Sequence, residues 1–161
     1  MTKKLFLLSL LVIPFLAVNS QAPAPAGFEH WSLADIGSLA KTLTATAAAD
    51  PHKTASKIIV DYPNDLFMLA HRESDGSPEL HETQADIFFM QTGSATLLVG
   101  GMLEGAETVA PHEKRNGTIK GASRVKLSAG DVVRIPANTP HQMLLDGAKE
   151  VTYFVVKVKN Y

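Results

Sequence analysis

Six histidines and sixteen acidic residues, with no cysteine anywhere, are the groups here that could bind a metal or move a proton. The missing thiols exclude disulfides, thiolate metal centres, iron–sulfur clusters and cysteine nucleophiles together. Imidazole and carboxylate remain, and a few of them sit where strand geometry matters. Residues 78–84 read as a strand whose alternation puts Glu79 and His81 on one face, with Leu80 and Glu82 on the other. Asp86 opens the next strand and shares a face with Phe88 and Met90, and His141 opens a later one beside Met143 and Leu145. An imidazole–carboxylate pair facing a barrel interior is costly unless it is charge-paired or metal-bound. Two further clusters carry weaker signals. His71, Arg72, Glu73 and Asp75 end one strand and its turn, and read as a solvated hairpin tip rather than a substrate clamp. His112, Glu113, Lys114 and Arg115 lie in a long polar loop, where no single residue stands out. The sequence has no G-x-G-x-x-G before a helix, no phosphate-binding loop, no H-E-x-x-H and no G-x-S-x-G.

The elements that must position these groups follow from periodicity and turn chemistry. Short strands are expected at 57–61, 66–71, 78–84, 86–91 and 95–99, with turn signals at 62–65, 75–78, 93–94 and 100–101. The loop 102–121 interrupts the series, and strands resume at 124–127, 131–135, 141–145 and 151–157. So many short strands without intervening helices predict an all-β antiparallel sandwich or barrel. Phe88, Met90, Met143, Phe154 and Val156 are expected to line its interior. Ahead of the strands, Ser32 and Asp35 form a capping pair for a helix with Leu33, Ile36, Leu39 or Ala40, and Leu43 on one face, closed by Asp50 and Pro51. That helix covers the barrel, and Trp31 beside His30 anchors it.

The chain of 161 residues carries a net charge of −1, which offers no basic surplus for nucleic acid. Lys3 and Lys4, the apolar run 5–18 and the small or polar residues 19–22 have the layout of a secretory signal peptide. The run is shorter than the ~20 residues of a membrane span. Cleavage after Ala22 would leave 139 residues, with 13 basic against 16 acidic, and no membrane anchor. Residues 1–22 are thus expected as signal, 23–56 as a Pro/Ala linker with the covering helix, and 57–161 as the barrel. Export without disulfides suggests a periplasmic or secreted protein of a bacterial envelope.

From residue 57 to 158 the sequence resembles the cupins, small jelly-roll barrels built as a double-stranded β-helix. The second cupin motif is followed closely: Gly130, five residues, Pro136, one residue, Asn138, two residues, His141. Asn138 stands where the family has glycine, an exchange that a left-handed turn position tolerates, and Leu145 where it has asparagine. The first motif keeps its spacing and changes its chemistry. His81, four residues, Asp86, six residues, Gly93 align with its second histidine, glutamate and glycine, while Glu79 replaces its first histidine. The resemblance implies a metal held by Glu79, His81, Asp86 and His141. Two nitrogen and two oxygen donors suit Mn²⁺, Fe²⁺, Zn²⁺, Ni²⁺ or Co²⁺. Glu79 and Asp86 are also candidates for orienting a ligand or shuttling a proton, and the altered set leaves open a metal-free cupin. The implied functions are a metal-dependent enzyme for a small carbonyl, carboxylate or sugar-like molecule (dioxygenase, isomerase, decarboxylase or lyase), or a non-catalytic binder of such a molecule. The resemblance also implies a homodimer.

Overall fold

The computed structural model describes residues 22–160, so the signal-peptide reading of residues 1–22 falls almost wholly outside the described residues. Residues 22–30 belong to an N-terminal unit: an extended stretch turning at Ala26 and Gly27, where the Phe28 amide donates to the Pro25 carbonyl at 3.1 Å. Residues Trp31–Tyr161 form the second unit, which carries the helix and all the strands among the described residues.

Helix α1 (Leu33–Ala49) starts as its sequence dictates, with Ser32 accepting from the Asp35 amide and the Asp35 carboxylate accepting from the Ser32 amide at 2.9 Å. This reciprocal bond satisfies two amides that the first turn leaves open. The buried face is carried by Leu43 and Ala47, whereas Leu33, expected on it, is 84% exposed. Trp31 takes over the anchoring there, its ring 5.3 Å from Phe67 and 5.7 Å from Phe154. Among the described residues no helix is long and apolar enough to cross a membrane.

The strands are β1 (Thr54–Asp61), β2 (Asp65–Arg72), β3 (Glu79–His81), β4 (Ala85–Val99), β5 (Met102–Glu104), β6 (Glu107–Ala110), β7 (Glu113–Arg115), β8 (Thr118–Lys120), β9 (Ser123–Ser128), β10 (Val132–Ile135), β11 (His141–Leu144) and β12 (Val151–Val158). All their pairings are antiparallel, and ten of them join one curled sheet, the expected all-β double-stranded β-helix with one N-terminal covering helix. Strand β4 serves both halves of the barrel. Its first part pairs with β12 and β10, and residues 94–99 pair with β9 and β11. The strands expected separately at 86–91 and 95–99 are therefore one, bent rather than broken at Gly93. Gly93 has φ +74°, and a Cβ there would stand 2.1 Å from the Glu150 carbonyl oxygen, so only glycine lets the end of β12 close against β4. This gives a physical reason for the glycine that ends the first motif.

Two further expectations change. The stretch 102–121 is not a loop but four short strands, β5 to β8, whose pieces are too short for alternation to show in the sequence. The phase of β12 is also shifted by one residue. Tyr153 and Val155 face the core with Phe88, Met90, Leu97, Ile135 and Met143, while Phe154 packs outward with Trp31 and Phe67, and Val156 joins it in an outer groove. With a period of two, a single residue decides which side every side chain meets, and a run of apolar residues on both faces hides that phase.

Candidate functional site

Register brings the candidate residues into one layer inside the barrel. Glu79 on β3 stands opposite His141 on β11 and, on its other side, opposite Arg115 on β7. His81 stands opposite Glu113, and Asp86 opposite Lys157 on β12. The turn before His141 is held by Asn138 at φ +56°, whose amide donates to the His81 carbonyl oxygen at 2.7 Å. The replacement of the motif's glycine by asparagine thus keeps the turn, and the backbone amide at this position ties the two histidine strands together.

All four predicted ligands meet. Glu79 Oε2 lies 3.6 Å from His81 Nε2 and Glu79 Oε1 lies 3.5 Å from His141 Nε2, while Asp86 Oδ2 lies 3.4 Å and 3.6 Å from the two rings. His81, Asp86 and His141 are each 2% exposed. Both rings are oriented from behind. His141 Nδ1 is 3.0 Å from the Thr139 carbonyl oxygen, which can only accept, so the proton sits on Nδ1 and Nε2 presents a lone pair. His81 Nδ1 donates to the Glu113 carboxylate at 2.7–2.8 Å, and its Nε2 points into the site.

A cation is already built into one side of this cluster. Lys157 Nζ donates to both Asp86 oxygens, at 2.8 and 2.9 Å, and to His81 Nε2 at 2.9 Å. Burial pushes the Lys157 ammonium down from the ordinary lysine value, against the pull of Asp86. Burial alone would raise the Asp86 carboxyl, but the neighbouring His141 and His81 imidazoles and the Lys157 charge outweigh it and hold Asp86 far below the usual carboxylate range. Arg115 pairs with Glu79 and, at 3.4 Å, with Glu113. Its guanidinium is lowered first by burial and then by the charge of Arg72, which in turn donates to the Tyr153 hydroxyl at 2.8 Å. Arg72, Arg115, Tyr153 and Lys157 wall a cavity of about 210 Å³ that Glu79 and Asp86 also line.

The residues present fit a divalent metal. At metal–donor lengths of about 2.0–2.2 Å, tetrahedral neighbours stand about 3.3–3.6 Å apart, the range of the four imidazole–carboxylate distances here. His141 Nε2 is the decisive atom: it is buried, aimed inward and without any hydrogen-bond partner. An orphaned acceptor of this kind costs on the order of 1–3 kcal/mol unless something fills its lone pair. Glu79, His81 and His141 lie together as a possible ligand group, and Asp86 is shared with Lys157.

Sequence reasoning missed three participants. Glu113 and Arg115 lay in a stretch read as loop, although their i, i+2 spacing marks one face of a strand. Lys157 lies in an apolar strand whose phase the sequence does not mark, and it is the one lysine in the inward series Tyr153, Val155, Lys157.

No family model and no curated protein matches the sequence. Among solved structures, the chain is similar to the TT1209 protein of Thermus thermophilus, at 18% identity over 68% of this chain and 87% of that one, with a TM-score of 0.51. A double-stranded β-helix protein of Klebsiella pneumoniae matches at 13% identity over 66% of this chain and 77% of its own, with a TM-score of 0.49. A cupin 2 conserved barrel protein of Rhodopseudomonas palustris matches at 16% identity over 65% and 60%, with a TM-score of 0.47. At such identities the likeness is one of fold.

Proposed function

We propose that this chain is an exported cupin-type barrel protein that holds a divalent transition metal with Glu79, His81, Asp86 and His141, and acts on a small organic anion in the adjoining cavity. The observation that carries the proposal is the unpartnered, inward-facing Nε2 of His141 amid three further donors. Charge supports the choice of substrate. Glu79, Asp86 and Glu113 balance Arg72, Arg115 and Lys157, so a divalent ion leaves an interior surplus that an anionic ligand such as a carboxylate would neutralise.

A bound divalent cation supplies Lewis-acid polarisation of a carbonyl or carboxylate oxygen. The chain's own groups divide the remaining work. Arg115 and Arg72 orient the anion at the cavity wall, the apolar layer of Phe88 and Val155 excludes water, and Glu113 fixes the His81 ring. Of the two carboxylates lining the cavity, Asp86 is 2% exposed and enclosed with Lys157 while Glu79 is 16% exposed, so Glu79 is assigned the proton shuttle at its carboxylate oxygens. These roles suit an isomerisation or elimination that starts with proton abstraction. The second reading, a non-catalytic binder without metal, is favoured by one observation: Lys157 already neutralises Asp86.

Cobalt separates the two. Co²⁺-loaded protein is expected to show visible absorption that shifts when small mono- and dicarboxylates are added, and His141→Ala is expected to abolish that shift. A carboxylate that binds equally well with and without metal would leave only the second reading standing. Export rests on the layout of residues 3–22 and the dimer on the resemblance alone. Both are checked on protein recovered from the envelope, where a mature chain starting after Ala22 and twice the monomer mass by light scattering are expected. An intact N-terminus or a monomer would refute the respective part.

A further inference from the structure

A second group of donors lies apart from the four just described. On β2, Met68 and Ala70 pack with the core and Arg72 reaches Tyr153, so alternation turns Leu69 and His71 to the other face of the sheet. There His71 is 1% exposed, and its Nδ1 lies 2.8 Å from the hydroxyl of Thr152, its register partner on β12. Its Nε2 is buried and has no hydrogen-bond partner. The nearest carboxylate oxygen, on Glu73, is 3.6 Å away, beyond hydrogen-bond reach, and a carboxylate oxygen of Glu150 completes a trio whose ligand atoms all lie within 4.8 Å of one another.

We infer that His71, Glu73 and Glu150 form a second divalent-cation site, separate from the barrel centre. A buried imidazole nitrogen with nothing to bond costs on the order of 1–3 kcal/mol, and two carboxylates facing it repel each other. One cation removes both penalties. It takes the Nε2 lone pair, leaves Nδ1–H to donate to Thr152 and neutralises the two acids. A histidine oriented from behind by a hydrogen bond is the usual arrangement of a metal ligand. The backbone is fixed in advance on both sides. The Glu73 amide donates to the Lys53 carbonyl at 2.8 Å, the Ser74 hydroxyl donates to the His52 carbonyl, and the absence of a Cβ at Gly93 seats Glu150 against β4. One nitrogen and two oxygen donors suit Zn²⁺ or Mn²⁺. Glu73 is 25% exposed, which leaves water access to the remaining coordination positions.

Zinc counting tests this on the full mature chain. After equilibrium dialysis against Zn²⁺, elemental analysis is expected to find two ions per chain. The double variant Glu73→Gln, Glu150→Gln keeps side-chain size at partly exposed positions. It is expected to weaken one ion by at least about 100-fold, since even loss of a ligand's supporting partner costs 10–100-fold, and to retain the other. His141→Ala is expected to do the reverse. Two ions retained by the double variant would overturn the inference, as would a single wild-type ion lost only with His141→Ala. A single ion lost in the double variant and kept in His141→Ala would uphold the second site and overturn the barrel-centre reading instead.

Discussion

Lys157→Met is expected to destabilise the metal-free protein by about 3–5 kcal/mol, and added divalent metal is expected to recover most of that loss. The size follows from what the substitution leaves behind. Asp86 is 2% exposed, and Lys157 Nζ contacts both of its oxygens. Removing one partner of a buried pair strands the other charge, at a cost of about 3–5 kcal/mol. Methionine fills a similar volume and adds no polar atom, so the loss is electrostatic rather than a cavity effect. The recovery follows from geometry. Without the ammonium, both Asp86 and His81 Nε2 are free to serve as ligands, so metal affinity is expected to rise by about tenfold or more, and metal at 100 times its dissociation constant stabilises by about 2.7 kcal/mol. Thermal melts with chelator and with Zn²⁺ would show it. A variant as stable as wild type in chelator would mean that Lys157 does not neutralise Asp86, and a loss that zinc does not recover would mean that the lysine does not compete with a metal.

Local chemistry marks some of these site residues in the sequence and leaves others unmarked. His141 was legible because its position depends on local chemistry: Gly130, Pro136 and Asn138 impose a turn, and Asn138 adopts the left-handed conformation its side chain tolerates. His81 and Asp86 were legible through spacing, and Gly93 through a motif position whose reason, the approach of the Glu150 carbonyl, exists only in three dimensions. Glu113, Arg115 and Lys157 were not. They reach the site through pairings between strands far apart in sequence, β3 with β7 and β4 with β12, and no local pattern records a partner. The fold class does not depend on such partners because it rests on many short strands together. The inward assignment of Phe154 and Val156 does not hold, because Trp31, just ahead of the helix, packs on the outer face of this strand, so both faces are apolar and the sequence does not mark the phase.

Asp86→Asn is expected to be as damaging as Lys157→Met, but beyond recovery by metal, and the contrast isolates the role of the pair. Counting the six charged side chains around the cavity, the interior is neutral in the wild type, negative by one in Lys157→Met and positive by one in Asp86→Asn. A divalent ion moves the first variant to +1 and the second to +3. The second must therefore place a dication beside an unpaired buried ammonium, having also lost a carboxylate ligand. Its metal affinity is expected to fall at least about 100-fold, and its stability loss of about 3–5 kcal/mol is expected to be the same with chelator or zinc. The amide is close to isosteric with the carboxylate, which keeps packing out of the comparison. Combining the two substitutions restores neutrality without metal, so the double variant is expected to be more stable in chelator than the sum of the single losses allows, by more than about 1 kcal/mol of coupling. Additive losses in that cycle would show that Asp86 and Lys157 act separately, and the lysine would then have no part in charging the metal site.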